Sequence, residues 1–153
     1  MDSLIFEAPI NSLSFGNVSV NLLKELYKLR DSTSVSLFPI GNKIELSAFD
    51  SLDPDIEKWI HECFNSRLLN LKTESKTIKL WHLNGSEMRV GKTQLLYTFY
   101  EASRPTKEEL SIHSMQDKVV FSSTYSKNKF DEAGALGSHY VPIGFDSSFF
   151  IKN

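Results

Sequence analysis

Short apolar runs alternate with amphipathic helical patterns along this chain, and that order constrains the fold more than any other feature. Leu4-Ile5-Phe6 is an apolar run near the start, and a polar loop follows from Asn11 to Asn17 with Gly16 near its end. Leu22, Leu23, Leu26 and Tyr27 then recur at three- and four-residue spacing, with Lys24, Glu25 and Lys28 between them. That is the pattern of a helix burying one face. Val35 to Ile40 reads as a second strand, stopped by Gly41-Asn42. The next helix has the clearest start. Asp53 can cap it, Pro54 suits a first turn that needs no amide hydrogen, and Asp55 and Glu57 complement the positive end of its dipole. Ile56, Trp59, Ile60, Cys63 and Phe64 form its apolar stripe, which assigns Cys63 to the core rather than to thiol chemistry.

The alternation continues to the end. Thr77 to Leu83 and Leu95 to Tyr100 read as strands around a polar loop, Asn84 to Thr93. Thr106-Lys107-Glu108-Glu109 has capping-box spacing and should open a short helix. Lys118 to Ser122 is a strand, Ser123 to Ala133 a helix with Gly134 suited to its C-terminal end, and His139 to Ile143 a last strand. Strands alternating with helices specify an α/β fold: a Rossmann-like, doubly wound, mostly parallel sheet with helices on both faces. The 153 residues contain no internal repeat and no interior linker, so one domain is expected.

Charge and cysteine usage then exclude several classes. The formal net charge is -2, so no strong basic field draws a phosphate backbone, and no nucleic-acid partner is expected. Lys127 and Lys129 read as a solvated helix face. The single cysteine forbids an internal disulfide and fits a reducing compartment. The start of the chain, with Asp2 and Glu7, does not resemble a signal peptide. No apolar stretch approaches the roughly 20 residues of a membrane span. The expected location is the cytoplasm.

Few motifs carry chemistry. Gly85 to Thr93 reads GSEMRVGKT but has five residues, not four, before Gly-Lys, and it leads into a strand pattern. It is therefore not a phosphate loop, which needs a helix whose amides meet the phosphates. The segment Ser12 to Ser19 is the better anion candidate, because it joins the first strand to the first helix at a C-terminal strand end. Gly16 there would allow close backbone approach, and it would equally serve as an ordinary loop glycine. The four histidines, His61, His82, His113 and His139, show no metal-ligand spacing, so no metal is expected. His61 and His113 read as surface groups on helices. His82 ends a strand beside Asn84-Gly85, on the same sheet edge as the Gly16 loop. A site role and a structural hydrogen bond are both open for it. Glu101, at another strand end, can bind sugar hydroxyls, act as a base, or pair with Arg104.

Several segments together resemble a known family. They are Thr98-Phe99-Tyr100-Glu101, Pro105-Thr106, Glu109-Leu110, Asp117-Lys118-Val119-Val120, Ser122-Ser123-Thr124-Tyr125, Phe130, Gly134, Val141-Pro142-Ile143-Gly144-Phe145-Asp146 and Phe149. Their order and spacing, from about Lys76 onward, resemble the N-terminal half of GT-B-fold glycosyltransferases of the group 1 (family 4) type. The resemblance implies two facing Rossmann-like domains. The first mainly holds a sugar or lipid-linked acceptor, and the second mainly holds a nucleotide-sugar donor. It implies sugar transfer with retention, with no cofactor beyond the nucleotide-sugar substrate. Electrostatic stabilisation of the departing diphosphate replaces a metal ion. Peripheral membrane contact through a lipid-linked acceptor is compatible with it. The resemblance implies that the loop around Gly16 approaches the donor phosphates; the candidate donor-phosphate or acceptor contacts are Gly16, Asn17, Asn84 and Gly85, with Glu101 and His82 as the catalytic candidates. Relatives often carry a histidine after Thr-Phe, where this chain has Tyr100 and Glu101. The segment Pro142 to Asp146 normally leads into the second domain, so this chain is expected to work with a GT-B C-terminal domain in the same chain or another, and to be inactive alone.

Overall fold

The computed structural model describes residues 2–72 and 74–144. In chain order the elements are β1 (Asp2–Ile10), α1 (Ser14–Tyr27), β2 (Thr33–Ile44), α2 (Pro54–Asn65), β3 (Lys76–Leu80), β4 (Thr93–Thr98), α3 (Lys107–Met115), β5 (Lys118–Phe121), α4 (Thr124–Glu132) and β6 (Ser138–Tyr140). The six strands form one sheet in the order β2-β1-β3-β4-β5-β6, and every pairing is parallel. The expected α/β fold, a Rossmann-like doubly wound sheet, is what the chain adopts. Parallel neighbours need crossover connections, and the helical segments between strands supply most of them. The chain runs from β1 out to β2 and returns past β1 to β3. Strand order therefore reverses between β1 and β3, and doubly wound sheets bind ligands at the C-terminal edge beside such a reversal.

Strand register divides the core in two. Leu80 pairs with Tyr97 and Ile78 with Leu95, so those side chains share one face while Leu96 points to the other. The first face packs Phe6, Ala8, Ile10, Leu37 and Leu80 against Val20 and Leu23 of α1 and Ile60 and Cys63 of α2. The second packs Leu96, Val119 and Phe121 against Phe130 of α4, with Leu110 and Ile112 of α3 at its edge. Phe6, Phe121 and Phe130 are fully buried, and each such side chain contributes about 1.5–3 kcal/mol relative to exposure.

Helix ends follow local chemistry closely. Asp53 accepts from the Asp55 amide at 2.8 Å, with Pro54 in the first turn of α2. Thr106 and Glu109 form the reciprocal capping box of α3. Ser123 caps α4, and Gly134 beyond its C-terminus takes φ +83°. Strand ends differ more. β2 continues through Gly41-Asn42 to Ile44, because both residues adopt positive φ (89° and 56°) and a register shift opposite Ala8–Ile10 absorbs the irregularity. β3 stops at Leu80, and β6 at Tyr140 rather than Ile143. Phe145, Asp146 and Phe149 of the motif series lie outside the described residues. Among those described, no helix is long and apolar enough to cross a membrane.

Candidate functional site

The reversal between β1 and β3 brings two loops to one edge. At the end of β1, Asn11 Oδ1 accepts from the Leu13 amide at 3.0 Å and Asn17 Nδ2 donates to the Ser12 carbonyl at 3.0 Å. These bonds close the turn into α1 early. Gly16 therefore lies in the first turn of the helix, not in a loop as the sequence suggested, and it is buried. A Cβ there would overlap the Asn11 carbonyl oxygen and side chain, so glycine is what lets α1 seat against the end of β1. Leu13 at the N-cap offers no side-chain acceptor, and the first turn holds no acidic residue. The leading amides of α1 thus differ from those of the other three helices, where Asp53, Thr106 and Ser123 accept a hydrogen bond.

Aromatic rings meet that helix start. The exposed His82 ring lies 4.6 Å from Phe15, edge-on at 66°, and half-buried Trp81 lies 5.2 Å from His82 at 70°. Phe15 also meets Trp81 at 5.6 Å and Phe99 at 4.7 Å, and Tyr97 stands 5.7 Å from Phe99. The ends of β3 and β4 and the start of α1 are joined by this group of rings.

The connection from β3 to β4, residues 81–92, contains no helix. Buried polar side chains shape it instead. Lys79 Nζ donates to the carbonyls of Gly85 (3.2 Å) and Met88 (2.9 Å) and pairs with Glu7 Oε1 at 3.0 Å. Gln94 and Gln116 both donate to the Ser86 carbonyl at 3.0 Å, and the Ser86 hydroxyl donates to the His82 carbonyl at 2.5 Å. Gly85 adopts φ +90°, and its backbone passes so near Trp81 that a Cβ would stand 3.2 Å from the indole nitrogen. Its amide donates to Glu87 Oε2 at 2.9 Å, and Asn84 beside it is exposed. Lys79, Gln94 and Gln116 were not singled out from the sequence. A lysine inside Thr77-Ile78-Lys79-Leu80, a strand with buried neighbours, was the available signal.

The remaining candidates divide. Glu101 and Arg104 are exposed, and neither makes a hydrogen bond or ion pair among the described residues. The GSEMRVGKT segment enters β4 directly, and Gly91 lies where a Cβ would overlap the Thr77 hydroxyl, so its glycine serves packing. His61 and His139 are exposed, but His113 is buried, contrary to the surface position expected for it. Its ring stacks on Phe130 at 5.4 Å and on Phe121 at 6.4 Å, and Nε2 lies 3.0 Å from the Ser138 hydroxyl. Burial lowers its pKa, with Asp131 opposing. Cys63 is buried in the core as expected, and burial pushes its thiol up to about 12. No group of three or more potential metal ligands exists among the described residues. Lys127 pairs with Asp131 and Lys129 with Glu132 along α4, the solvated face that was anticipated.

A groove of about 870 Å³ lies elsewhere, between α1 and the sheet, floored by Ile78, Leu95, Tyr97 and Val120. Its floor is apolar, whereas the β1/β3 edge gathers imidazole, indole, carboxamide and backbone amides. The fold is that of a doubly wound α/β domain, with a polar and aromatic edge at the strand-order reversal. No family model, curated protein or solved structure matches the chain.

Proposed function

We propose that this domain is the acceptor-side half of a glycosyltransferase. It would pass a sugar from a nucleotide-sugar donor to a sugar or lipid-linked acceptor, with a second α/β domain, in the same chain or another, completing the donor site. The observation that carries this reading is the contact between Phe15 and His82. It unites the start of α1 with the polar end of β3 at the strand-order reversal, where a ligand can meet both. The uncapped amides of α1 suit a diphosphate. The imidazole of His82 and the carboxamide of Asn84 suit sugar hydroxyls, since both donate and accept hydrogen bonds. The motif series from Thr98 to Gly144 adds independent support.

In this reading the residues have separate tasks. The amides of Ser14 and Phe15 meet negative charge as the nucleotide diphosphate departs, and such preorganised donors commonly supply the largest part of catalysis. Gly16 and Asn17 hold the turn that aims them. Gly85 holds the loop that presents Asn84 and His82. Glu101, exposed beyond the end of β4, would serve as a hydroxyl acceptor for the acceptor sugar.

The test is transfer from a panel of labelled nucleotide-sugars, with the chain supplied together with a second α/β domain. His82→Ala should lower kcat/KM by about tenfold or more, equivalent to about 1.4 kcal/mol. If His82→Ala and Glu101→Ala both left transfer unchanged, the site assignment would be wrong. A second reading is a non-catalytic module that binds a sugar, nucleotide or protein partner. It is favoured by the exposed, unpaired Glu101, since no acid–base pair is assembled at the edge among the described residues. Turnover by this chain alone would reject it.

A further inference from the structure

We propose that Trp81 and His82 form a corner that holds one pyranose ring by stacking. The inference rests on the transferase reading only in naming that ring as part of the acceptor. The two rings stand 5.2 Å apart at 70°, and His82 is backed edge-on by Phe15 at 66°. Trp81 is half-buried and His82 exposed, so part of the pair is accessible to a ligand.

The near-right angle selects the ligand class. A nucleobase is planar and is best held against parallel ring faces, stacked on one or sandwiched between two. The two rings meet at 70° and offer a ligand unlike surfaces, an indole π-system and an imidazole whose ring nitrogens hydrogen-bond. A pyranose matches that pair of surfaces, with C–H groups on one face and hydroxyls around its rim. The C–H hydrogens, slightly positive, meet the negative face of the indole by the attraction that draws cations to tryptophan. The rim hydroxyls meet the imidazole nitrogens, one a donor and the other an acceptor in the neutral ring.

The corner is also held rigid before any ligand arrives. The Ser86 hydroxyl grips the His82 carbonyl at 2.5 Å, and Lys79 grips the carbonyls on either side of Ser86 and Glu87, at Gly85 and Met88. Gly85, lacking a Cβ, lets its backbone lie against the indole. A preorganised platform spares the ordering cost that weak ligands cannot offset.

The experiment uses the full 153-residue chain carrying Trp59→Phe, which leaves Trp81 as its only tryptophan. Methyl hexosides of gluco, galacto and manno configuration, and uridine monophosphate, are titrated while Trp81 emission is followed. Saturation-transfer NMR reports which ligand protons touch the protein. The expected result is saturable emission change with at least one glycoside in the millimolar range, with transfer strongest to one face of ring C–H protons. His82→Ala should weaken it about tenfold. In the otherwise native chain, Trp81→Phe should retain part of the saturation transfer and Trp81→Leu should abolish it. Because Trp81→Leu disturbs a ring cluster, the exposed His82→Ala variant stands as an independent test with the fold intact. The proposal is overturned if no glycoside saturates up to about 100 mM, or if only uridine monophosphate does. It is also overturned if Trp81→Leu and His82→Ala bind as the native chain does. Glycoside binding without transfer by the two-domain assembly would leave the corner standing and reject the transferase. Transfer with an acceptor KM unchanged by Trp81→Phe and His82→Ala would do the reverse.

Discussion

Lys79 Nζ lies 3.0 Å from Glu7 Oε1 in the interior of the sheet, with the side chains only 2% and 13% exposed. The same ammonium reaches two carbonyls of the β3–β4 connection, so one buried charge joins the central strands to the loop that carries Asn84 and Gly85. Removing one partner leaves the other charge buried and unpaired. Lys79→Met should therefore destabilise the domain by about 3–5 kcal/mol. The double change Glu7→Gln with Lys79→Met should cost less than Lys79→Met alone. Urea unfolding checks both. Hydrogen exchange of the Gly85–Met88 amides should quicken in Lys79→Met beyond what the global loss explains.

Gly16 is a packing requirement before it is anything else. Gly16→Ala puts a methyl against the Asn11 carbonyl, and α1 must shift away from β1 to admit it. A loss of about 1–3 kcal/mol is expected, in line with other overpacked sites. Gly134→Ala is the control of a different kind. No atom lies near its Cβ position, but φ is +83°, so the cost there is backbone strain alone. A thermal unfolding series on the two variants separates these causes. Only Gly16→Ala should also change the environment of His82, through Phe15.

His113 predicts a pH dependence of stability. Its pKa is lowered from an ordinary value near 6.5, chiefly by burial. The unfolded chain therefore binds this proton more readily than the folded one. Stability is full above about 6.5, and it falls as pH drops from there toward the lower folded pKa. His113→Phe keeps a ring between Phe121 and Phe130 and has nothing to protonate. Its urea midpoint should lose less than that of the native chain between pH 7.5 and pH 5.5. Equal losses in the two proteins would assign the effect to other groups.

Cys63 should be chemically silent while the domain is folded. It is 5% exposed and its thiol is pushed up to about 12, so little thiolate is available at neutral pH. A thiol-specific disulfide reagent should react fully in denaturant. In native buffer it should react only at the rate at which the fold opens. Rapid labelling of the folded chain would contradict this placement.

The elements were legible because their signals are local. Capping by Asp53 and Thr106, the stripe Ile56 to Phe64 and the Val119-Val120-Phe121 run each depend on neighbours a few residues away, and each stands where expected. Alternation of such elements was enough to specify a parallel α/β sheet, since parallel strands require crossovers. His113 was misread because its setting is not local: Phe121 and Phe130, on other elements, bury it. Gly16 was misread because the Asn11 side chain closes the turn into α1 early, a local bond that composition and periodicity do not signal.

By itself the sequence determined the fold class, the N-caps of α2 and α3, the buried Cys63 and the placement of His82 just past the end of β3. Only the tertiary structure decided strand order, and with it the reversal between β1 and β3 that sets His82 against Phe15. It also decided that Lys79, Gln94 and Gln116 shape the loop beside them. The physical reason is one of range. Propensity, capping and periodicity act within a turn or two of the chain. A buried ammonium finds its carboxylate and carbonyls only when strands far apart in sequence become neighbours in the sheet.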